Sequence, residues 1–135
     1  MKTILTIIFS VVFIAIGCDT VEDPNISLEV NKLSKSWLNS FEEQVDSVQV
    51  YRPEGSKEFP TASFRKKYFF KVTGKCDLTD TTLSESGIIN GNWSLQSDNV
   101  LLIYDADYKL AEILQVYQLE DDILRFTILY KREKK

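Results

Sequence analysis

The feature that most restricts how this chain can fold is the stretch from Gly87 to Tyr130: four apolar runs of strand length in succession, separated only by short polar breaks. Gly91, Trp93 and Leu95 share one parity within Ile88 to Gln96, and Val100, Leu102 and Tyr104 share one within Asn99 to Tyr104. A period of two marks a pleated strand with one face turned to a core. Leu110 to Leu119 and Ile123 to Tyr130 follow, and in the last run Leu124, Phe126, Ile128 and Tyr130 alternate with Arg125, Thr127 and Leu129. The breaks Ser97-Asp98-Asn99, Asp105-Ala106-Asp107 and Glu120-Asp121-Asp122 carry side chains that bond their own backbone and tolerate tight turns, so neighbouring strands are expected to pair as hairpins. A meander of this kind needs a partner layer or closure on itself.

Upstream, two periods compete. Leu33, Trp37 and Phe41 stand four apart, as on a helix, but Trp37, Asn39 and Phe41 also alternate with Ser36, Leu38 and Ser40. The reading adopted is a short helical turn around Ser27 to Leu33 that enters a strand at Trp37, and a second strand over Val45 to Tyr51 with Val48 and Val50 on one parity. Arg52 to Ser63 holds Pro53 and Pro60, which lack the amide a sheet centre needs, and is expected to be a long loop. Phe64 to Thr73 returns as a strand with Tyr68, Phe70 and Val72 on one parity. Gly74-Lys75 turns it into a partner strand marked by Cys76 and Leu78, and Thr79 to Ser86 reads as a surface loop. The expected fold is all-β: a small antiparallel barrel or strongly curved meander sheet, its core drawn from Trp37, Phe70, Trp93, Leu102, Leu114 and Phe126.

The first residues read as a leader. Lys2 is a basic start, and Ile4 to Ile16 is an uncharged apolar run, short of the roughly 20 residues a spanning helix wants. The ending Ile14-Ala15-Ile16-Gly17-Cys18 resembles the bacterial lipobox, at which a peptidase cuts before a cysteine carrying diacylglycerol. That resemblance implies an acylated Cys18, with palmitate-like chains as the only anchor. Several long chains, at about 0.8 kcal/mol per buried CH₂, hold a protein at a membrane where one chain does not. The chain thus divides into a lipoprotein signal peptide (1–17), an acidic lipidated tether (18–26) and one β domain (27–135). The tether Asp19-Thr20-Val21-Glu22-Asp23-Pro24-Asn25 is similar to sorting or surface-export signals of some Gram-negative groups, and is equally readable as a solvated linker. The expected location is the cell envelope, lipid-anchored on the outer membrane, on its periplasmic or surface face.

Composition narrows the chemistry. With Cys18 committed to lipid, Cys76 has no intramolecular partner, so no disulfide is expected to support the fold. Losing Lys2 with the leader moves the formal net charge from −4 to −5, which disfavours nucleic acid, whose phosphates demand a basic face. The chain has no histidine, which removes the usual Ser-His-Asp or Cys-His apparatus and the commonest transition-metal ligand. Its five glycines are scattered, with no phosphate-cradling pattern. The adjacent carboxylates Glu42-Glu43 and Asp121-Asp122 would point to opposite faces of a strand rather than converge on a substrate. No enzymatic activity, metal or cofactor is therefore expected. The run Lys131-Arg132-Glu133-Lys134-Lys135 reads as a solvated tail, with contact to anionic lipid as the other reading.

Trp37 entering the first strand, the long early loop, the Gly74 turn and Gly91-Asn92-Trp93-Ser94-Leu95 before an apolar meander resemble the lipocalin-like lipoproteins of bacterial envelopes. Ser36 to Glu43, Tyr51-Arg52-Pro53 and Phe59-Pro60 are also similar to a group of short uncharacterised proteins. The resemblance implies a monomeric barrel that holds a small apolar or amphipathic ligand. Tyr51, Arg52, Arg65 and Tyr68 are the candidate ligand-binding residues: the two arginines bracket the long loop, and aromatic neighbours flank them, as an anion-plus-apolar pocket at the barrel mouth requires. The competing reading ties both arginines to Glu42, Glu43 or Glu54 as ordinary salt bridges. A second function stands beside ligand binding: a protein-interaction module, either an inhibitor or a structural component of an envelope complex, with a solid core. An interior cavity of roughly 300 Å³ or more separates the first from the second.

Overall fold

A computed structural model describes residues 30–60, 65–80 and 87–133. The expected leader, Cys18, the acidic tether, Phe64 and most of the Thr79 to Ser86 stretch lie outside the described residues.

Eight strands follow a helical turn that ends at Leu33: β1 (Ser36–Asn39), β2 (Gln49–Pro53), β3 (Lys67–Phe70), β4 (Lys75–Asp80), β5 (Gly87–Gln96), β6 (Val100–Tyr104), β7 (Leu110–Leu119) and β8 (Leu124–Lys131). They close into one antiparallel barrel in the order β1-β2-β8-β7-β6-β5-β4-β3. The second half is the expected meander, with β5 to β8 each paired to the next. Its turns use the polar breaks as anticipated. Asp98 and Asn99 both take left-handed backbone, at φ 64° and 58°, conformations that Asp and Asn tolerate. The Asp105 amide donates to the Lys109 carbonyl at 2.9 Å, and Asp105 Oδ1 accepts from the amides of Asp107 and Lys109. The Glu120 amide donates to the Ile123 carbonyl, closing the last hairpin.

The first half is wound differently from a plain up-and-down barrel. β1 lies between β2 and β3, antiparallel to both, so β2 and β3 run in the same direction and do not pair. The connection 54–66 must therefore travel the length of β1. At its start the Glu54 amide donates to the Ser36 carbonyl, and at its end the Asn39 amide donates to the Lys66 carbonyl. That geometry explains why the loop is long.

Several boundaries and one core residue need correction. Arg52 and Pro53 belong to β2 rather than to the loop, and Pro53 is tolerated because it is the strand's last residue. Val45 to Val48 is a bridged turn with Asp46 at φ 54°, not the start of that strand. Phe41 has left β1 for a single 3₁₀ turn, Phe41–Glu43, and is exposed. Val72 lies beyond the end of β3 and is exposed too, while Thr79 is part of β4. In β6 the inward residues are Leu101 and Ile103, so Leu102 faces outward with Val100 and Tyr104. Trp93 pairs with Ile103, and that register sets the parity of a strand apolar on both faces.

The remaining expected core residues are buried: Trp37, Phe70, Leu114 and Phe126 completely, Trp93 nearly so. Leu33 closes the cluster, its carbonyl accepting from Trp37 Nε1 at 2.9 Å. Gly91 in the Gly-x-Trp segment has a steric reason. A Cβ there would lie 1.9 Å from the Tyr104 carbonyl oxygen on the paired β6, so only glycine lets the strands approach. Trp93 Nε1 donates to the Lys71 carbonyl at 3.0 Å and its amide to the Gly74 carbonyl, which fastens the β3–β4 turn against β5. The described core runs from Leu33 to Phe126, with Val30 and Ile128 packed against it.

Candidate functional site

The barrel interior is organised around a ladder of aromatic rings. Phe126 stacks on Tyr51 at 4.9 Å, Tyr51 meets Tyr68 edge-on at 5.3 Å, Tyr68 stacks on Phe70 at 5.5 Å, and Phe70 meets Trp93 edge-on at 5.7 Å. Each spacing falls in the range where aromatic pairs attract beyond their area burial. Tyr51, Tyr68, Phe70 and Phe126 have no solvent exposure at all.

A buried polar cluster sits against the ladder. Glu112, 2 % exposed, accepts from Lys66 Nζ at 2.7 Å and from the Tyr68 hydroxyl at 2.5 Å. The Lys66 ammonium also lies 4.8 Å from the centre of the Tyr68 ring. Burial pushes the Tyr68 phenol well above its usual range, and the neighbouring Tyr51 and Glu112 add to the shift. Tyr68 therefore stays a donor, and the Glu112 carboxyl has two partners inside the barrel, as a buried polar group needs. Burial likewise pushes the Cys76 thiol up to about 12, which makes it an inert core residue. Neither Lys66 nor Glu112 was among the candidate residues, yet the pattern contained both. Lys66 shares the parity of Tyr68 and Phe70, and Glu112 that of Leu114 and Val116, so strict alternation turns both charges inward.

The four candidate ligand-binding residues do not converge. Tyr51 and Tyr68 touch each other inside the barrel. Arg52 instead forks onto Glu43, Nε to Oε2 at 3.0 Å and Nη2 to Oε1 at 2.7 Å, while its Nη1 donates to the carbonyl and carboxylate of Asp122. Arg65 forks onto Glu42, donates to the carbonyls of Asn39 and Pro60, and stacks between the rings of Phe41 and Phe59 at 4.4 and 4.7 Å. The Arg52 guanidinium beside Glu43 holds that carboxyl well below the usual range, helped by the Ser40 hydroxyl, and Arg65 lowers that of Glu42. Both arginines are raised in turn by these carboxylates. Adjacent in sequence, Glu42 and Glu43 each take one arginine because the 3₁₀ turn splays them. The geometry is that of a clamp holding the ends of the β2–β3 connection. Cys18, the lipid-attachment candidate, lies outside the described residues.

Clefts occur elsewhere. One of about 200 Å³ opens at the barrel end closed by Leu33, lined by Leu95, Leu101, Val116 and Leu119 with Asn99, Tyr117 and Gln118. Two broader grooves, about 480 and 390 Å³, lie on the outer face of β3–β5, the larger one bordered by Phe69 and Ile88. Tyr68 and Glu112 line none of the three. Among the described residues no group of three or more His, Cys, Asp or Glu side chains is placed to hold a metal.

Compared with models of protein families, with curated proteins and with solved structures, the chain finds no match in any of the three. What can be said of its function is carried by its own residues. The closed eight-stranded barrel is compatible with a lipocalin-like architecture, and the aromatic ladder and the Lys66–Glu112–Tyr68 cluster lie inside it.

Proposed function

We propose that the protein is an envelope lipoprotein, held at a membrane by acylated Cys18, whose barrel acts as a protein-interaction module rather than as a carrier of a small apolar ligand. The lipobox-like Ile14 to Cys18 segment supports the anchor, and the Trp37 and Gly91 to Leu95 packing supports membership of the lipocalin-like envelope proteins. The observation that carries the choice of role is the packed interior. The ring ladder from Phe126 to Trp93 and the Lys66–Glu112–Tyr68 cluster occupy the space where a calyx would hold its ligand. The end cleft, at about 200 Å³, is below the usual size of a small-molecule site. Binding then falls to outer surfaces, and the role is non-enzymatic.

Native mass spectrometry of the chain from Asp19 onward tests this reading, since the expected mass is that of the polypeptide alone. A retained lipid-sized adduct overturns it in favour of ligand binding. A photo-cross-linker at outward-facing Phe69 is expected to give a discrete protein adduct in cells, and one at inward-facing Tyr51 none. Replacing Cys18 by Ala tests the anchor separately: it should release the protein from the membrane fraction, and unchanged retention refutes the lipoprotein reading.

A further inference from the structure

At the tip of the β6–β7 hairpin the sequence makes an unusual choice. Ala106-Asp107-Tyr108 is a three-residue loop in which the Tyr108 amide donates to the Asp105 carbonyl at 3.0 Å and Tyr108 takes φ 58°. The last position of such a loop is normally glycine, because a side chain there is strained. Among the described residues the other non-glycine positions with left-handed backbone are Asp46, Asp98 and Asn99, types that tolerate it, whereas Tyr108 has no such excuse. The ring is not recovered by burial either, since it is 69 % exposed. Strain of this kind persists where a side chain is needed for something other than stability.

The surroundings indicate what that is. Lys109 follows directly, the Lys75 ammonium lies 5.9 Å from the Tyr108 ring, and Arg132 is held beside the hairpin by its amide to the Ala111 carbonyl and its guanidinium to Asp105. Exposed Tyr130 lies further along β8, opposite Ile113. Asp105 and Asp107 are the acids at this tip. The two turns that flank this hairpin, at the other end of β5–β8, carry Asp98, Glu120, Asp121 and Asp122, with Lys35 reaching the Asp121 carbonyl and Arg52 reaching Asp122. The two ends of the meander therefore differ in charge balance: Lys75, Lys109 and Arg132 outnumber Asp105 and Asp107 at this tip, whereas four acids outnumber Lys35 and Arg52 at the other.

We infer that this hairpin tip contacts an anionic lipid surface, with Tyr108 seated at headgroup depth and Lys75, Lys109 and Arg132 facing the headgroups. A tyrosine has an apolar body and a polar tip, and Lys and Arg stems extend from apolar contacts toward charge, the pairing found at membrane interfaces. A protruding tip suits a lipid surface better than a protein, which needs roughly 800 Å² on each side. The contact is independent of the Cys18 anchor but compatible with it. From Cys18 to Val30 is twelve residues, a reach of up to about 40 Å, enough for the barrel to lie with this tip on the same membrane.

The test uses the chain from Asp19 onward, which contains every described core residue, sedimented with phosphatidylcholine vesicles with and without phosphatidylglycerol. Binding is expected only where phosphatidylglycerol is present, and it should fall by about tenfold on raising the salt from low to above physiological. Tyr108→Gly should weaken it at least several-fold while leaving Tm unchanged or higher, because glycine relieves the backbone strain. Lys109→Glu should weaken it without moving Tm. Equal binding to both vesicles, or none, overturns the inference. So does a Tyr108→Gly variant that binds as before, or one whose Tm drops by several degrees, which would make the ring a structural element.

Discussion

At the scale of single residues, two positions make strong and opposite use of the interior. Gly91 is required by an absence: the space of its Cβ is taken by the Tyr104 carbonyl oxygen at 1.9 Å and crowded by Asp105 Cα at 3.3 Å, main chain at the end of β6 and the residue after it. Main chain cannot step aside as a side-chain tip can, so Gly91→Ala is expected to cost about 3 kcal/mol or more. A fall in Tm on the order of 10 °C checks it. Gly55 offers the contrast, with φ 79° but open space around it, and Gly55→Ala should cost only about 1 kcal/mol. Glu112 is required by its partners. Glu112→Gln removes the charge facing Lys66, and the expected loss is about 3 kcal/mol in urea denaturation. Pairing it with Lys66→Met should cost clearly less than the two single changes together, because both changes remove the same contact. Additive losses would mean that the 2.7 Å contact contributes little.

At the scale of elements, the 3₁₀ turn Phe41–Glu43 joins the two ends of the barrel's one long connection through Glu42–Arg65 and Glu43–Arg52, with Glu54–Lys67 beside it. All three carboxyls are depressed, by Arg65, by Arg52 and, for Glu54, by the Ser36 hydroxyl ahead of Lys67. A depressed carboxyl contributes stability that is fully present above the ordinary glutamate range and lost as pH falls through the folded value. Tm should therefore hold from neutral pH down to about pH 5 and decline below about pH 4. These groups are partly exposed, so each pair is worth no more than about 1 kcal/mol. Arg52→Met should lower Tm at pH 7 and flatten the acid decline, and an unchanged slope would show the clamp to be idle. This turn was the least legible element. Phe41 fits both a helical stripe and a β alternation, and nothing local says that the chain leaves the sheet after Asn39. β6 was misread for a related reason: Val-Leu-Leu-Ile-Tyr is apolar on both parities, so only its pairing with Trp93 decides that Leu101 and Ile103 face inward. β7, by contrast, was readable to its last residue, because Leu110 to Leu119 is bounded by polar turns on both sides.

At the scale of the whole molecule, the all-β class and the β5–β8 meander follow from alternation and turn chemistry, which are local. Barrel closure is not local. It depends on β1, four residues that insert between β2 and β3 and pair with both. Neither that insertion nor the interior ring ladder is visible in spacing, since each depends on which distant strands meet. The same fact makes the seam a testable weak point. Trp37 is fully buried, hydrogen-bonded to the Leu33 carbonyl, and the one large inward side chain of β1. Trp37→Ala removes the side chain that pins this short strand and should cost about 3–5 kcal/mol by cavity formation alone. Because a barrel has no free edge until it opens, loosening β1 exposes the unpaired sides of β2 and β3 together. Hydrogen exchange should then show protection lost in β1 and its two neighbours, with β5, β6 and β7 retaining theirs, and the variant should associate on size exclusion more than the parent does. Uniform loss of protection across all eight strands would mean instead that closure and core form a single cooperative unit with no seam.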